Sequence, residues 1–401
     1  MKIFGGTYLE YIYEPYWHEM FGSGMRAASV ISSLSAPEIG LSTYLSSDEV
    51  YLAEVKSNIH GFHLSTYNRA KPISFEYFHG LSRPYISPNL IQMQKENTID
   101  VDVDECFLRF GMVEGDVVVR GATVIYDPQS MFLPIPFHEN GSTANRLAIV
   151  LNSAEALWLS QKRSVESAGE TLINNSDVDV VVIKRGPFGC LVFKKKETTV
   201  INAYKTKHVF PIGSGDVFAA VFAHYWGEKE LDANEAADNA SIATAYYCNS
   251  QIAPLPKNFK EEQVNFSPVT GSVNGKQAYL AGPFFTTAQR WLMEECYQLL
   301  RNSGVNVFSP YHAVGMGSGN DVYPQDIDGL NKSDIVFACL DGLDAGTVYE
   351  IGYAKSMGKH VIVFVQNESE ENLKMITGSG CLICNDLVTA LYEVIWALME
   401  L

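Results

Sequence analysis

Short apolar, β-branched runs recur along the chain at residues 117–119, 147–151, 180–183, 335–340 and 361–365, separated by stretches whose apolar positions follow a helical period. That alternation predicts parallel sheets covered by helices, so both halves of the chain read as α/β. Helices are expected over 25–34, 154–161, 216–226, 233–249, 287–303 and 348–357. Between residues 254 and 276 the text becomes PLPKNFKEEQVNFSPVTGSVNGK, which follows neither period and is punctuated by Pro, Gly and Ser. The pattern therefore predicts a first domain over 1–256, a linker over 257–276 and a second domain over 277–401, as the length of 401 residues also suggests.

Charge narrows the partners. With 29 basic and 46 acidic residues the net charge is −17, which disfavours nucleic acid or an anionic membrane held by broad attraction. Small phosphorylated ligands stay open, since local amides and single basic groups capture them. The start MKIFGG lacks a signal peptide's basic segment and apolar core, no apolar run approaches the ~20 residues of a membrane span, and the seven cysteines are scattered. A cytoplasmic, reducing setting is expected. Cys381 and Cys384 form a CxxC without a second ligand pair, so buried thiols are expected and no metal site. The acidic DVDVDE at 100–105 reads as an exposed edge strand or turn, and His60 and His63 of HGFH as structural residues in a strand or loop.

In the second domain, AYLAGPFF (278–285) reads as a strand ending in Gly282 and followed by a helix, the arrangement in which a ligand approaches a strand's carboxyl end. Gly315, Gly317 and Gly319 make a flexible loop, and Asp326 is expected to open the helix that follows. A further strand then delivers DGLDAGTVYEIGYAKSMGK (341–359). There Asp344 sits on the loop, Gly346 allows close approach, and Glu350 falls in the first turns of a helix whose dipole favours an ionised carboxylate.

Three segments in this order, YLAGPFF, DIDGLNKSDIVFACLDG and DAGTVYEIGYAKSMGKHVIVF, resemble the nucleoside 2-deoxyribosyltransferase family. The resemblance implies a flavodoxin-like parallel sheet, Glu350 as nucleophile, Asp326 and Asp344 as active-site acids and Tyr279 as the residue orienting the nucleophile. Gly282, Gly346 and Gly317 would line the substrate, and no cofactor is implied. The chemistry is coherent: departure of a base leaves oxocarbenium-like charge at C1′, which a carboxylate traps while a second acid protonates the base. Either Asp344 or Asp326 fits the proton donor. Attack on the glycosyl-enzyme by another base makes a transferase, and attack by water an N-glycosidase; Ser318 and the loop glycines would seat a 5′-phosphate if one is carried.

In the first domain, PIGSGDVFAAVFAHYW (211–226) is a glycine turn opening a helix, a ready anion site. Gly213, Ser214, Gly215 and Asp216 resemble the GAGD of the PfkB or ribokinase-like carbohydrate kinases, which implies a three-layer α/β fold, Asp216 as base, and ATP and Mg²⁺ as cofactors. LNSAEALWL (151–159) resembles that family's NxxE, placing Asn152 and Glu155 near magnesium and phosphate. VVIKRGPFG resembles the turn at Gly186, and FGSGMRAASV the glycine pair at Gly24. Glu10 stands for the early sugar-binding aspartate and Arg26 for a common asparagine, which would suit an acceptor carrying a phosphate. Phe210-Pro211-Ile212 replaces the usual approach to GAGD. The expectation is a bifunctional fusion acting on nucleosides or nucleotides, as a homo-oligomer, with the kinase-like part either phosphorylating a nucleoside or sugar or sensing a nucleotide that gates an N-glycosidase. A third reading makes the kinase the main enzyme and the second domain a nucleotide-binding module.

Overall fold

The computed structural model describes residues 1–34, 39–130, 133–175, 177–261 and 266–401, and the chain divides into two compact units, Met1–Pro268 and Val269–Leu401. Residues 262–265, within the expected linker, lie outside the described residues. The neighbouring Ser267–Pro268 pairs with Tyr204–Lys205 inside the first unit.

The first unit runs β1 (Lys2–Phe4), β2 (Leu9–Glu14), β3 (Trp17–Met20), α1 (Gly22–Ile31), β4 (Gly40–Leu45), α2 (Ser47–His60), β5 (His63–Asn68), β6 (Ser74–His79) and β7 (Tyr85–Ser87). There follow β8 (Ile99–Phe110), β9 (Val117–Asp127), β10 (Thr143–Asn152), α3 (Ser153–Ser160), α4 (Val165–Ile173), β11 (Val180–Lys184), β12 (Cys190–Lys194) and β13 (Glu197–Ile201). The unit closes with β14 (Tyr204–Lys205), α5 (Ser214–Phe222), α6 (Ala233–Ser250) and β15 (Ser267–Pro268). Nine strands form one sheet in the order β13-β12-β11-β10-β9-β8-β1-β4-β5, and β3-β2-β6-β7 form a separate small sheet.

The apolar runs are explained by burial on both faces. In β11, Val180 and Val182 join the core that includes residues of α1, α5 and α6, while Val181 and Ile183 join the opposite core with Ala156 of α3 and Ala168 of α4. Helix α1 is buried along its whole length, because Gly24 lets it lie against β1: a Cβ there would meet the Gly5 backbone at 2.6 Å. The acidic 100–105 stretch lies in β8, where Arg120 of β9 pairs with Asp100 at 3.1 Å and Asp102 at 2.7 Å. His60 ends α2 rather than lying in a strand or loop, because a Ser46–Glu49 capping box starts a helix there that carries through to Gly61.

The second unit runs β16 (Gln277–Ala281), α7 (Thr287–Asn302), β17 (Asn306–Phe308), α8 (Pro310–Ala313), α9 (Gly319–Lys332), β18 (Ile335–Cys339), α10 (Ala345–Ser356), β19 (His360–Phe364), α11 (Glu370–Gly378), β20 (Leu382–Cys384) and α12 (Leu387–Glu400). Its five strands are all parallel in the order β17-β16-β18-β19-β20. Counted within the unit, that is second, first, third, fourth, fifth, the flavodoxin-like order, whose ligands sit where the winding reverses, between the first and third strands. Here that point lies between β16 and β18. Asp326 does not open its helix: α9 begins at Gly319, after Ser318, whose hydroxyl donates to Asp321 at 2.6 Å, so Asp326 lies in the interior. Cys381 and Cys384 are both buried, and among the described residues no helix is long and apolar enough to cross a membrane.

Candidate functional site

At the switch point of the second unit, Tyr279 of β16 is fully buried and stacks on Phe308 of β17, ring centroids 5.6 Å apart. Its hydroxyl donates to Glu350 Oε1 at 2.5 Å. Burial, and then the neighbouring Glu350 carboxylate, push the Tyr279 phenol up, so it remains a proton-bearing donor throughout the neutral range. Glu350 lies on α10, where burial pushes its carboxyl up to about 7; the Tyr279 bond pulls the other way, and the charges of Asp326 and Asp344 add to the rise. These four residues, scattered over more than seventy positions, are therefore close enough to act on one another.

The two aspartates differ in how they are held. Asp344 is the N-cap of α10, its Oδ2 accepting from the Thr347 amide at 2.9 Å and the Thr347 hydroxyl at 3.0 Å. Gly346 makes room for that cap, since a Cβ there would stand 3.1 Å from Asp344 Oδ2. Asp326 Oδ1 is buried and has no hydrogen-bond partner among the described residues, and burial pushes its carboxyl up. A raised, unpaired acid is suited to hold and deliver a proton. Two of the expected glycines meet protein rather than open space. A Cβ on Gly282 would strike Met293 Sδ at 2.5 Å, and one on Gly317 would meet Val322 at 2.9 Å, so both serve close packing.

Phe308, the platform under Tyr279, belongs to no motif in the sequence, and neither does the Tyr323–Tyr349 pair, whose hydroxyls lie 3.2 Å apart and tie α9 to α10. Tyr323 precedes Asp326 by three positions and shares its helix face, a spacing that was available to find it.

In the first unit a cavity of about 890 Å³ collects Glu10, Ser23, Asp127, Asn152, Lys184 and Asp216. Asp127, Asn152 and Lys184 are the last residues of the adjacent parallel strands β9, β10 and β11, where α/β sheets hold ligands. That rule would have found Asp127 and Lys184, which the motif comparison missed. Gly186, two residues beyond β11, also lines the cavity. Lys184 Nζ reaches Asp127 Oδ2 at 2.5 Å; burial opposes its charge, but Asp127 and Glu155 carry its pKa upward.

Asp216 is buried in the first turn of α5 and is engaged on both oxygens: Gln129 donates to Oδ1, and Arg26 Nη1 stands 3.7 Å from Oδ2. Arg26 has 0% exposure, forms an ion pair with Glu10, donates to the Tyr247 hydroxyl at 3.2 Å and lies over the Phe21 ring at 4.7 Å. It packs so closely on Gly213 that a Cβ there would overlap its Nε at 1.8 Å. Glu10 also accepts from the Gly22 amide at 3.1 Å. Burial raises the carboxyl pKa of both Glu10 and Asp216, with Arg26 opposing the rise in each case. Asn152 and Glu155 turn toward their own backbone. Asn152 Oδ1 accepts from the Glu155 amide, while Glu155 accepts from the amides of Asn152 at 2.8 Å and Ser130 at 3.1 Å, a capping box at the start of α3. In the glycine turn, the Ser214 and Asp216 amides bond to Pro211 and Gly213, which leaves the Gly215 amide open.

A family model described as nucleoside 2-deoxyribosyltransferase matches residues 278–383, and one described as pfkB family carbohydrate kinase matches residues 147–250. Among solved structures, ribokinase from Thermotoga maritima is similar at 18% identity and a TM-score of 0.49, over 66% of this chain and 98% of its own. An adenosine kinase from Sinorhizobium meliloti is similar at 12% identity and a TM-score of 0.46, over 66% of this chain and 98% of its own. A fructokinase from Vibrio cholerae O395, with fructose, ADP and potassium bound, is similar at 12% identity and 0.47, over 65% and 97%. A search of curated proteins finds no match. The chain thus joins an N-terminal unit whose residues 147–250 match the pfkB family carbohydrate kinases to a C-terminal unit whose residues 278–383 match the nucleoside 2-deoxyribosyltransferases.

Proposed function

We propose that the second unit breaks the N-glycosidic bond of a nucleoside through a covalent intermediate on Glu350. The observation that carries this reading is the Tyr279–Glu350 hydrogen bond, set at the winding reversal beside an acid, Asp326, whose Oδ1 has no partner. With Oε1 held by Tyr279, the other Glu350 oxygen attacks C1′ as the C1′–N bond breaks and its electron pair leaves with the base. Asp326 gives its proton to that nitrogen. A second base or water then attacks C1′, Glu350 is released as a carboxylate, and the proton lost by the attacking group returns to Asp326. Asp344, committed to the α10 cap, fixes the helix that carries the nucleophile and faces the sugar with its remaining oxygen.

Glu350 must be ionised and Asp326 protonated. Base release therefore rises with pH up to about 7, where the Glu350 carboxyl titrates. The test is to incubate the protein with deoxynucleosides and their 5′-monophosphates, with and without an acceptor base, and to chromatograph the products. Glu350→Ala is expected to lower base release by about 10³-fold or more. Full base release by that variant would overturn the assignment. Free base without acceptor identifies a hydrolase, and exchange only with acceptor identifies a transferase.

A further inference from the structure

The cavity of the first unit is built to hold a ligand, but its acids are not arranged for phosphoryl transfer. A general base needs an oxygen free to receive a proton. Asp216 has one oxygen bonded by Gln129 and the other facing the buried Arg26 guanidinium. A magnesium ion needs oxygen ligands that are not already committed. Asn152 and Glu155 are spent on the α3 capping box, and Asp127 is held by Lys184. The residues present do not fit Mg²⁺, and no group of acids, His or Cys able to hold a metal occurs among the described residues.

Other cavity groups are open. The hydroxyl of Ser23, a residue only 4% exposed, lines the cavity and has no hydrogen-bond partner among the described residues. The Gly215 amide is open at the N-terminus of the nine-residue α5, where the helix dipole favours an anion. Lys184 Nζ, although it also holds Asp127, has further N–H donors and stands 3.3 Å from the position a Gly215 side chain would begin. The cavity wall also carries Tyr8 and Phe75, their ring centroids 4.9 Å apart, and Tyr77, the surface that a flat heterocycle stacks on. An anion, a hydroxyl and a flat ring are the three parts of a nucleoside monophosphate, and about 890 Å³ accommodates one.

We infer that the first unit is a binding site for a nucleoside monophosphate and does not transfer a phosphoryl group. The phosphate sits against the Gly215 amide and Lys184, a sugar hydroxyl meets Ser23, and the base lies on the aromatic wall. Arg26 faces both Asp216 and Glu10 and offsets one of their two charges, so the carboxylates near the phosphate repel it less.

The experiment uses the full chain carrying Glu350→Ala, so that the second unit turns nothing over and the result is independent of its chemistry. Calorimetry with AMP, CMP, GMP and dTMP in EDTA is expected to show saturable binding of at least one, weakened tenfold or more by Lys184→Ala and by a smaller factor by Ser23→Ala, with circular dichroism confirming that both variants fold. Incubation with MgATP and a panel of nucleosides and sugars is expected to release no more ADP than Asp216→Asn does. The inference is overturned if no monophosphate binds, if binding is indifferent to Lys184→Ala in the folded variant, or if ADP forms in a manner abolished by Asp216→Asn.

Discussion

Asp216 and Glu350 occupy similar places and have opposite surroundings. Each is a carboxylate in the first turns of a helix beside the carboxyl ends of parallel strands. Asp216 is answered on both oxygens, by an amide and by a guanidinium buried with it. Glu350 receives one hydroxyl, and its acidic neighbours push its carboxyl further up. A motif can place a carboxylate; the groups that reach it from elsewhere in the chain decide whether it stores charge or spends it.

The contrast can be broken most forcefully at Arg26. Arg26→Met leaves Glu10 and Asp216 buried without their cation, and loss of one partner of a buried pair costs about 3–5 kcal/mol. Urea unfolding should show that loss in the first unit, and Glu10→Gln combined with Arg26→Met should recover most of it. If Arg26→Met alone were neutral, the clamp would be incidental. In the second unit Asp326→Asn should lower base release by about 10²-fold, about 3 kcal/mol of transition-state stabilisation, with the smallest losses for bases that leave readily. An equal loss for every base, seen by comparing substrates of graded leaving ability, would remove Asp326 as the proton donor.

Smaller effects sharpen the same comparison. Because the Glu350 carboxyl is pushed from its ordinary value to about 7, the native state binds that proton more tightly than the unfolded chain does. Native stability therefore falls as pH rises from about 4.5 to about 7. Glu350→Gln removes this liability and should stabilise the second unit by about 1–3 kcal/mol at pH 8 and little at pH 5, as thermal unfolding at the two pH values will show. Least of all, Tyr279→Phe deletes the bond that lowers the Glu350 pKa, so the rising limb of the pH–rate profile should move to higher pH by up to about one unit. A shift to lower pH would contradict the geometry.

What was legible in the sequence was mostly local. The spacing of Asp344, Gly346 and Glu350 implies a loop, a helix start and a carboxylate within it, and the structure forms that arrangement. Buried strands announced themselves as continuous apolar runs because both faces are covered. Local spacing also carries more than one reading. Asn152 and Glu155 stand three apart, the spacing of a capping box as well as of a phosphate motif, and their side chains bond to backbone amides. The start of α9 was placed seven residues late, because Ser318 and Asp321 stop the glycine loop well before Asp326. Long-range pairings left no trace: Gln129 reaches Asp216 across 87 positions and Lys184 reaches Asp127 across 57, distances at which no periodicity carries information. Arg26 looked like a phosphate-binding cation in the sequence, yet in the fold every direction of its guanidinium is occupied by protein.

The short path from the Asp344 cap to Glu350 also determines where the second unit tolerates changes in length. Tyr279 is a fixed point on a strand paired on both sides, and Glu350 reaches it only from one helical angle. One residue inserted between Asp344 and Glu350 turns that carboxylate by about 100° and lifts it off the phenol. The stretch from Gly315 to Gly317 precedes the Ser318 cap of α9, so insertions there leave the registration of Asp326 on its helix intact. Natural variation and engineering in this unit should therefore lengthen or shorten the chain before α9, while the six steps from cap to nucleophile stay constant in number even where their residues change.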